Sequence, residues 1–279
     1  MSTPKKQFLF VHIPKTAGTS FALILAKRFR GLRKLQFYSP KEREIYPKLA
    51  AAEKERYDAI YGHIPFIGDQ GLKRGIEYYT FFRSPRERLL SQYKHIKGDG
   101  NHIIKSKINV DEYSLKDFLK QGFVRNFDNL MTRYLSGNIS KEYLKIDQGD
   151  LDLALKNFDN NFNIFGLTEK FDESLVLLSD YMNWPPLLYV RENKSSFKIR
   201  KEELDDETEK LITACNRFDE VLFKHAEAKF EKLLVPKKEM VEKRVKELRE
   251  CSERNKNSII FRNKINLLYA WFRKKLAGR

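Results

Sequence analysis

The sequence contains few cysteines and no long apolar segment. Its 279 residues include only Cys215 and Cys251, which are too few for a disulfide framework and are not spaced like a metal site or a redox pair. No run approaches the roughly 18 apolar residues that a membrane-spanning helix requires. The first twelve residues lead straight into a strand and a loop, so we expect no signal peptide. These absences predict a cytoplasmic location.

Acidic residues are also scarce relative to basic ones. The chain has 54 Lys and Arg against 38 Asp and Glu, which gives a net charge of +16. Fourteen basic and five acidic residues lie between Lys237 and Arg279, so this segment alone carries +9. Such an excess predicts an acidic partner: a phosphorylated cofactor, an anionic glycan, nucleic acid or an anionic membrane surface.

Apolar residues are plentiful enough for a packed core, because 41% of the chain is hydrophobic and 21 residues are Phe. Short apolar runs typical of strands alternate with helical patterns, which predicts a mainly parallel sheet in an α/β layer fold. The predicted strands are 7–12, 57–61, 77–82, 162–166 and, more weakly, 187–190. The predicted helices are 19–29, 85–97, 173–182 and 204–234. Pro236 marks a boundary, so we expect one domain over 1–235 and a basic helical extension over 236–279.

The segment HIPKTAGTS, residues 12–20, lies between the first predicted strand and the first predicted helix. Gly18 allows a tight turn, the helix start offers unpaired N–H groups, Lys15 adds a charge and Thr19 and Ser20 add hydroxyls. This combination suits a phosphate. An ordinary capped turn with a surface lysine is the alternative interpretation.

Two motifs together resemble those of sulfotransferases that use 3′-phosphoadenosine-5′-phosphosulfate (PAPS). The loop PKTAGTS resembles their 5′-phosphosulfate loop, and FRSPRERLLSQY, residues 82–93, resembles their 3′-phosphate motif. The element YGHIPF, residues 61–66, resembles the Gly-His element of the carbohydrate branch that includes heparan sulfate 2-O-sulfotransferase and its bacterial relatives. Segments 129–137 and 165–171 resemble secondary signatures of the same family. The resemblance covers roughly residues 8–234.

The sequence departs from the family pattern at two positions. Ser84 stands where the 3′-phosphate motif usually has Asp, and Tyr61 stands where the heparan enzyme has a second histidine. These differences bear on the acceptor rather than on the chemistry.

The resemblance implies a P-loop-like three-layer fold and an enzyme that moves a sulfuryl group from PAPS to a carbohydrate hydroxyl without a metal. It implies that His63 is the general base and that Lys15 stabilises the leaving phosphate oxygen. The cofactor ligands that it implies are Lys15, Thr16, Ala17, Gly18, Thr19, Ser20, Arg83, Ser91, Lys194 and Ser196.

Several interpretations remain open at this stage. Asn129 and Arg133 are either acceptor contacts or structural residues, and Arg86 and Arg88 could be helix-surface charges. The acceptor is an anionic or neutral carbohydrate, a glycan or a glycolipid, and no nucleic-acid motif is present. A helix over 259–276 packs on the core or on another subunit, or lies on the inner membrane surface.

Two other functions compete with sulfuryl transfer. A P-loop kinase would place Gly directly before Lys, whereas Pro14 precedes Lys15 here. A non-enzymatic basic protein that binds membrane or nucleic acid would account for the charge but not for the two motifs.

Overall fold

Five parallel strands form the central sheet in the computed structural model of this protein, in the spatial order β2-β3-β1-β4-β5. The structure describes residues 6–38, 45–68, 72, 75–99, 103–190, 197–199, 204–261 and 263–264. The strands are β1 (Gln7–Val11), β2 (Lys34–Phe37), β3 (Ala59–Gly62), β4 (Ile76–Phe82) and β5 (Gly166–Leu167).

Helices connect these strands and follow them along the chain. They are α1 (Gly18–Arg28), α2 (Ala51–Lys54), α3 (Pro85–Gly98), α4 (Leu115–Gln121), α5 (Leu130–Ser136), α6 (Gln148–Asn161), α7 (Phe171–Tyr181), α8 (Asp206–Cys215), α9 (Arg217–Leu234) and α10 (Lys238–Arg254).

Aromatic residues of β4 show that helices cover both faces of the sheet. On one face, Tyr79 packs against Phe21 of α1 at 5.1 Å, between ring centroids, and Phe81 stacks on Phe171 of α7 at 5.1 Å. On the other face, Phe82 packs against Phe158 of α6 at 4.9 Å. Successive strand residues point to opposite faces of the sheet, so these contacts place helices on both faces and the fold has three layers. The prediction of a P-loop-like three-layer α/β fold is confirmed.

Some predicted elements differ from those observed. Strand β2 was not predicted, because its four residues, KLQF, carry two polar side chains and only Phe37 is buried. The run 187–190 forms no strand, since it follows Pro185 and Pro186, which cannot donate to a sheet ladder. Of the predicted strand 162–166 only Gly166 lies in a strand, the two-residue β5. The predicted helix 204–234 is two helices, α8 and α9, separated at Asn216.

The described part of the predicted C-terminal extension packs on the rest of the protein. Helix α10 lies against α7, and Val241, Val245 and Leu248 belong to the same hydrophobic core as the sheet. Asp180 of α7 pairs with Lys237 and Arg244. Most of the predicted helix 259–276 lies outside the described residues, and the boundary at Pro236 stays a prediction.

The N-termini of α5 and α9 cap each other inside the protein. The Asn129 side chain accepts hydrogen bonds from the backbone N–H groups of Phe218 and Asp219, at 2.9 and 3.1 Å. In return, the Asp219 carboxylate accepts from the backbone N–H groups of Met131 and Thr132, at 3.0 and 2.8 Å. Asn129 is therefore a structural residue.

Arg133 is also structural, because its guanidinium is buried and bonded on every side. It donates to the carbonyl oxygens of Asp128, Lys141 and Glu142 at 2.8, 2.7 and 2.7 Å and pairs with the Asp128 carboxylate. Four of its five N–H donors are used inside the protein, and the side chain is too buried to reach an acceptor sugar.

Replacing Asp219 with alanine is expected to lower the free energy of unfolding by roughly 3 kcal/mol, because two backbone N–H groups at the N-terminus of α5 lose their buried acceptor. Urea denaturation measures this loss. Asp159→Ala is the matched control, since Asp159 forms exposed ion pairs with His225 and Lys229, and its loss should stay within about 1 kcal/mol. Equal losses in both variants would contradict the capping role.

Candidate functional site

The predicted functional residues meet at the carboxyl ends of three neighbouring strands. The phosphate loop follows β1, His63 follows β3 and Arg83 follows β4, and β1 lies between β3 and β4 in the sheet. Ligands of open parallel α/β sheets bind at this edge. The sheet therefore brings together three segments that are up to 68 residues apart in the chain.

The phosphate loop has the backbone of an anion cradle. Lys15 and Ala17 have positive φ angles of 71° and 61°, which turn the chain sharply into α1. Ala17 is the N-cap of α1 and provides no side-chain cap, and the first turn of the helix carries no acidic residue. The N–H groups at this helix start can thus bind an anion. The buried Thr16 hydroxyl donates to the Ile13 carbonyl oxygen at 2.8 Å, so it shapes the loop rather than serving as a donor to a ligand.

Gly18 is required by the close packing of the loop against His12. A Cβ atom at position 18 would lie 1.9 Å from the Nε2 atom of the His12 ring. The imidazole of His12 is buried, and it also stacks on Phe10, with ring centroids 5.3 Å apart. No room remains for even a methyl group between the loop and this ring.

A Gly18→Ala variant is expected to bind 3′,5′-adenosine bisphosphate (PAP) at least about tenfold more weakly, because the loop must move away from His12 to relieve the clash. Calorimetric titration measures the change. Gly149→Ala in α6 is the control: its Cβ would meet only the Oδ1 atom of Asp147, at 3.3 Å, and PAP affinity should not change. Unchanged affinity in Gly18→Ala would show that the loop does not bind the nucleotide.

Two half-buried cations converge beside this loop. The Arg83 Nη1 atom donates to the Lys15 carbonyl oxygen at 3.1 Å. Burial lowers the pKa of Lys15, the charge of Arg83 lowers it further, and Asp99 acts in the opposite direction. Burial also lowers the pKa of Arg83, against the charges of Glu169 and Glu87. Cations held this close together favour a polyanionic ligand that neutralises both.

His63 follows β3, the neighbour of β1, and lies beside the phosphate loop that follows β1. Its backbone N–H donates to the Phe37 carbonyl oxygen at 2.7 Å, and its ring centroid is 4.4 Å from that of His12. Gly62 must be glycine here, because its φ is 153° and a Cβ would lie 2.1 Å from the Phe37 oxygen. The Gly-His element therefore lets β2 approach β3 closely enough to orient His63.

The two histidines have different environments. Burial lowers the pKa of His12 well below its usual 6.5, and His63 and Lys15 act in the same direction, so His12 is neutral at neutral pH. The His63 side chain is only partly buried. Of the two, His63 is the one that can meet a substrate.

The remaining predicted residues fall into three groups. Thr19 and Ser20 lie in the first turn of α1, exposed and half-buried respectively. Ser91 is half-buried on α3, one turn beyond Glu87, whose charge acts on Arg83. Lys194 and Ser196 lie outside the described residues.

Two arginines of the second motif do not face the site as free charges. Arg86 pairs with Glu209 and Glu87. Arg88, which could have been a helix-surface charge, is fully buried and donates to the Asn216 side chain at 3.4 Å. The interpretation of Arg88 as a surface residue is wrong, because α8 and α9 pack over that side of α3.

Sequence reasoning missed the contacts that Thr168 and Glu169 make with residues on either side of Arg83. The only signal in the sequence was the signature over 165–171, to which no role was assigned. No group of His, Cys, Asp or Glu among the described residues could hold a metal ion. No helix in the described ranges is long and apolar enough to cross a membrane.

This fold and site define a class of protein: an α/β protein whose loop at the start of α1 is suited to an anionic ligand. The profile of the galactose-3-O-sulfotransferase family matches residues 1–268. The chain therefore belongs to the galactose-3-O-sulfotransferase family. The prediction of a PAPS-dependent sulfotransferase is confirmed at the level of the family, whereas the narrower heparan sulfate 2-O-sulfotransferase branch is not confirmed.

Other comparisons add little to this assignment. No curated protein matches the chain. Among solved structures, a mouse sulfotransferase in complex with PAP is similar, with 13% sequence identity and a TM-score of 0.36. The match covers 78% of this chain and 66% of that one, just under two thirds of its length. A likeness of this size carries no argument, so the family assignment depends on the profile match.

Proposed function

We propose that this protein transfers a sulfuryl group from PAPS to a carbohydrate hydroxyl, with His63 as the general base. The observation that carries the proposal is the meeting of the phosphate loop, Arg83 and His63 at one edge of the sheet. The site offers cations and N–H groups on one side and an accessible imidazole on the other. In-line transfer of a sulfuryl group requires positive charge and N–H donors at the leaving oxygen and a base at the attacking hydroxyl.

The residues present fit the donor. PAPS supplies an activated sulfuryl group attached to a phosphate. The N–H groups at the start of α1, together with Thr19 and Ser20, would bind its 5′-phosphosulfate, and Lys15 would neutralise charge that develops on the leaving oxygen. Arg83 and Ser91 would bind the 3′-phosphate, for which the planar guanidinium is suited because it can bond two oxygens at once.

His63 would act on the acceptor. A neutral imidazole can take the proton of a sugar hydroxyl as its oxygen attacks sulfur, and the proton then stays on the His63 ring. The His12 ring, buried against Gly18 on one side and His63 on the other, holds the base and the phosphate loop in one unit. The matched family profile is named for galactose 3-hydroxyl groups, so galactosides are the first acceptors to test.

Calorimetric titration with PAP, and with ADP in the presence and absence of magnesium, tests the donor. We expect micromolar binding of PAP without metal and a loss of at least about tenfold in Arg83→Ala. Arg86→Ala is the matched control, because Arg86 is paired with Glu209 away from the loop, and it should bind PAP normally.

A different result would point to another function. No PAP binding, together with magnesium-dependent ADP binding, would refute sulfuryl transfer and favour the P-loop kinase. Sulfation of small neutral alcohols but of no sugar, measured with labelled PAPS, would refute the carbohydrate acceptor alone.

A further inference from the structure

The turn that follows β5 holds the backbone on both sides of Arg83. The Thr168 hydroxyl donates to the Phe82 carbonyl oxygen at 2.9 Å. The backbone N–H of Ser84 donates to the Glu169 carboxylate, also at 2.9 Å. Phe82 and Ser84 are the two neighbours of Arg83 in the chain. Two side chains from a single turn therefore bracket the arginine.

These two hydrogen bonds lie just beyond the last residue pair between β4 and β5. Strands β4 and β5 pair only through Phe81 with Gly166 and Phe82 with Leu167. Beyond these pairs no ladder bond orients residue 83, so Thr168 and Glu169 continue the connection with their side chains. Arg83 thus depends on this turn for its direction out of the sheet.

The turn is itself anchored by α7. The buried Ser174 hydroxyl accepts from the Leu167 backbone N–H at 3.0 Å and donates to the Lys170 carbonyl oxygen at 2.7 Å. These bonds hold the chain immediately before Thr168 and immediately after Glu169. Because the turn is fixed at both ends, its hydrogen bonds to Phe82 and Ser84 can fix the position of Arg83.

Glu169 also supplies a carboxylate at a place where the chain lacks one. Ser84 is the N-cap of α3 and makes no side-chain capping bond. Glu169 instead provides the acceptor for the backbone at this helix start, and its charge opposes the effect of burial on the pKa of Arg83. Glu169 thus accepts from the N–H of the N-cap residue itself, a bond that the N3 side chain makes in a capping box.

We propose that Thr168 and Glu169 are positioning residues for Arg83 and set the preference of the site for a nucleotide with a 3′-phosphate. This inference rests on the proposed function, because it assigns the 3′-phosphate to Arg83. A guanidinium bonds two phosphate oxygens at once only when it points in the correct direction. Loss of the Thr168 or the Glu169 hydrogen bond would therefore selectively weaken the contact of Arg83 with the 3′-phosphate. The 5′-phosphate, bound by the loop after β1, is not affected.

Dissociation constants for PAP and for AMP, which lacks the 3′-phosphate, test the inference. We expect Thr168→Val and Glu169→Ala each to weaken PAP binding by roughly five- to tenfold, the effect of one lost hydrogen bond or slightly more. AMP binding should stay within about twofold. Thr168→Ser keeps the hydroxyl and Glu169→Gln keeps an acceptor, so both should retain most of the preference for PAP.

The variant Glu87→Ala tests whether Glu169 acts through its hydrogen bond to Ser84 or only through its negative charge. Glu87 also acts electrostatically on Arg83 but makes no bond to the Ser84 backbone, so this variant should keep the PAP-to-AMP ratio of the wild type. An equal loss in Glu87→Ala and Glu169→Ala would overturn the bracket.

The remaining outcomes distinguish the inference from the proposed function. A wild-type protein that binds PAP no more tightly than AMP would refute the proposed function. A wild type that prefers PAP, with the same preference in Thr168→Val and Glu169→Ala, would overturn the inference alone. A parallel loss of PAP and AMP affinity would also overturn it, because the turn would then support the whole fold.

Discussion

Replacing His63 with alanine is expected to lower the rate constant of sulfuryl transfer by about 10²- to 10⁴-fold, the usual contribution of a general base. PAP affinity should stay within about twofold, because the phosphate loop and Arg83 are unchanged. His63 is partly exposed at the end of β3, whereas His12 behind it is buried and neutral. The hydroxyl proton therefore has one accessible imidazole to go to in this part of the described structure. Initial rates with saturating PAPS and acceptor measure the loss.

His225→Ala is the matched control for this experiment. His225 lies on α9 and pairs with Asp159, on an exposed surface, and its removal should leave the rate unchanged. A His63→Ala variant that keeps more than a tenth of the wild-type rate would exclude His63 as the base. Loss of PAP binding in the same variant would instead indicate that His63 supports the loop.

Replacing Lys15 with methionine is expected to lower the rate constant by about 10²- to 10³-fold, because the proposed mechanism assigns to its charge the stabilisation of the leaving oxygen in a partly buried site. Methionine keeps the length and most of the apolar stem of lysine. PAP affinity should fall less than the rate does, since the N–H groups of α1 and Arg83 remain. Single-turnover rates together with calorimetric affinities separate the two effects.

Two variants sharpen the test of Lys15. Lys15→Arg restores the charge but not the compact ammonium, so we expect only partial recovery of the rate. Lys156→Met, on the exposed side of α6, is the control and should be fully active. If Lys15→Met lost PAP affinity and rate in equal proportion, Lys15 would serve in binding alone.

The phosphate loop and its two flanking elements could be predicted from the sequence, because their interactions are local. An apolar run, a Pro- and Gly-containing turn and a helical pattern lie within residues 7–29, and β1 and α1 form where expected. The same is true of the strand that ends at Arg83 and of the helix that begins at Pro85. The family was recognisable from these two segments for the same reason.

The roles of several other residues could not be predicted, because they depend on contacts between distant segments. Asn129 and Arg133 could have contacted an acceptor, but both are buried: Asn129 bonds α9 and Asp128, and Arg133 bonds Asp128 and the segment around Lys141. Arg88 is buried only because α8 and α9 cover α3. The bracket around Arg83 comes from residues more than 80 positions further along the chain.

By itself, then, the sequence determined the local chemistry: an anion-binding loop after one strand, an arginine after another and a histidine after a third. Only the tertiary structure decided that these three strands are neighbours, with β1 between β3 and β4. Strand order results from the packing of apolar side chains on both faces of the sheet, such as Phe81 on Phe171 and Phe82 on Phe158. Those contacts join residues that local patterns cannot relate, and they place His63 beside the phosphate loop.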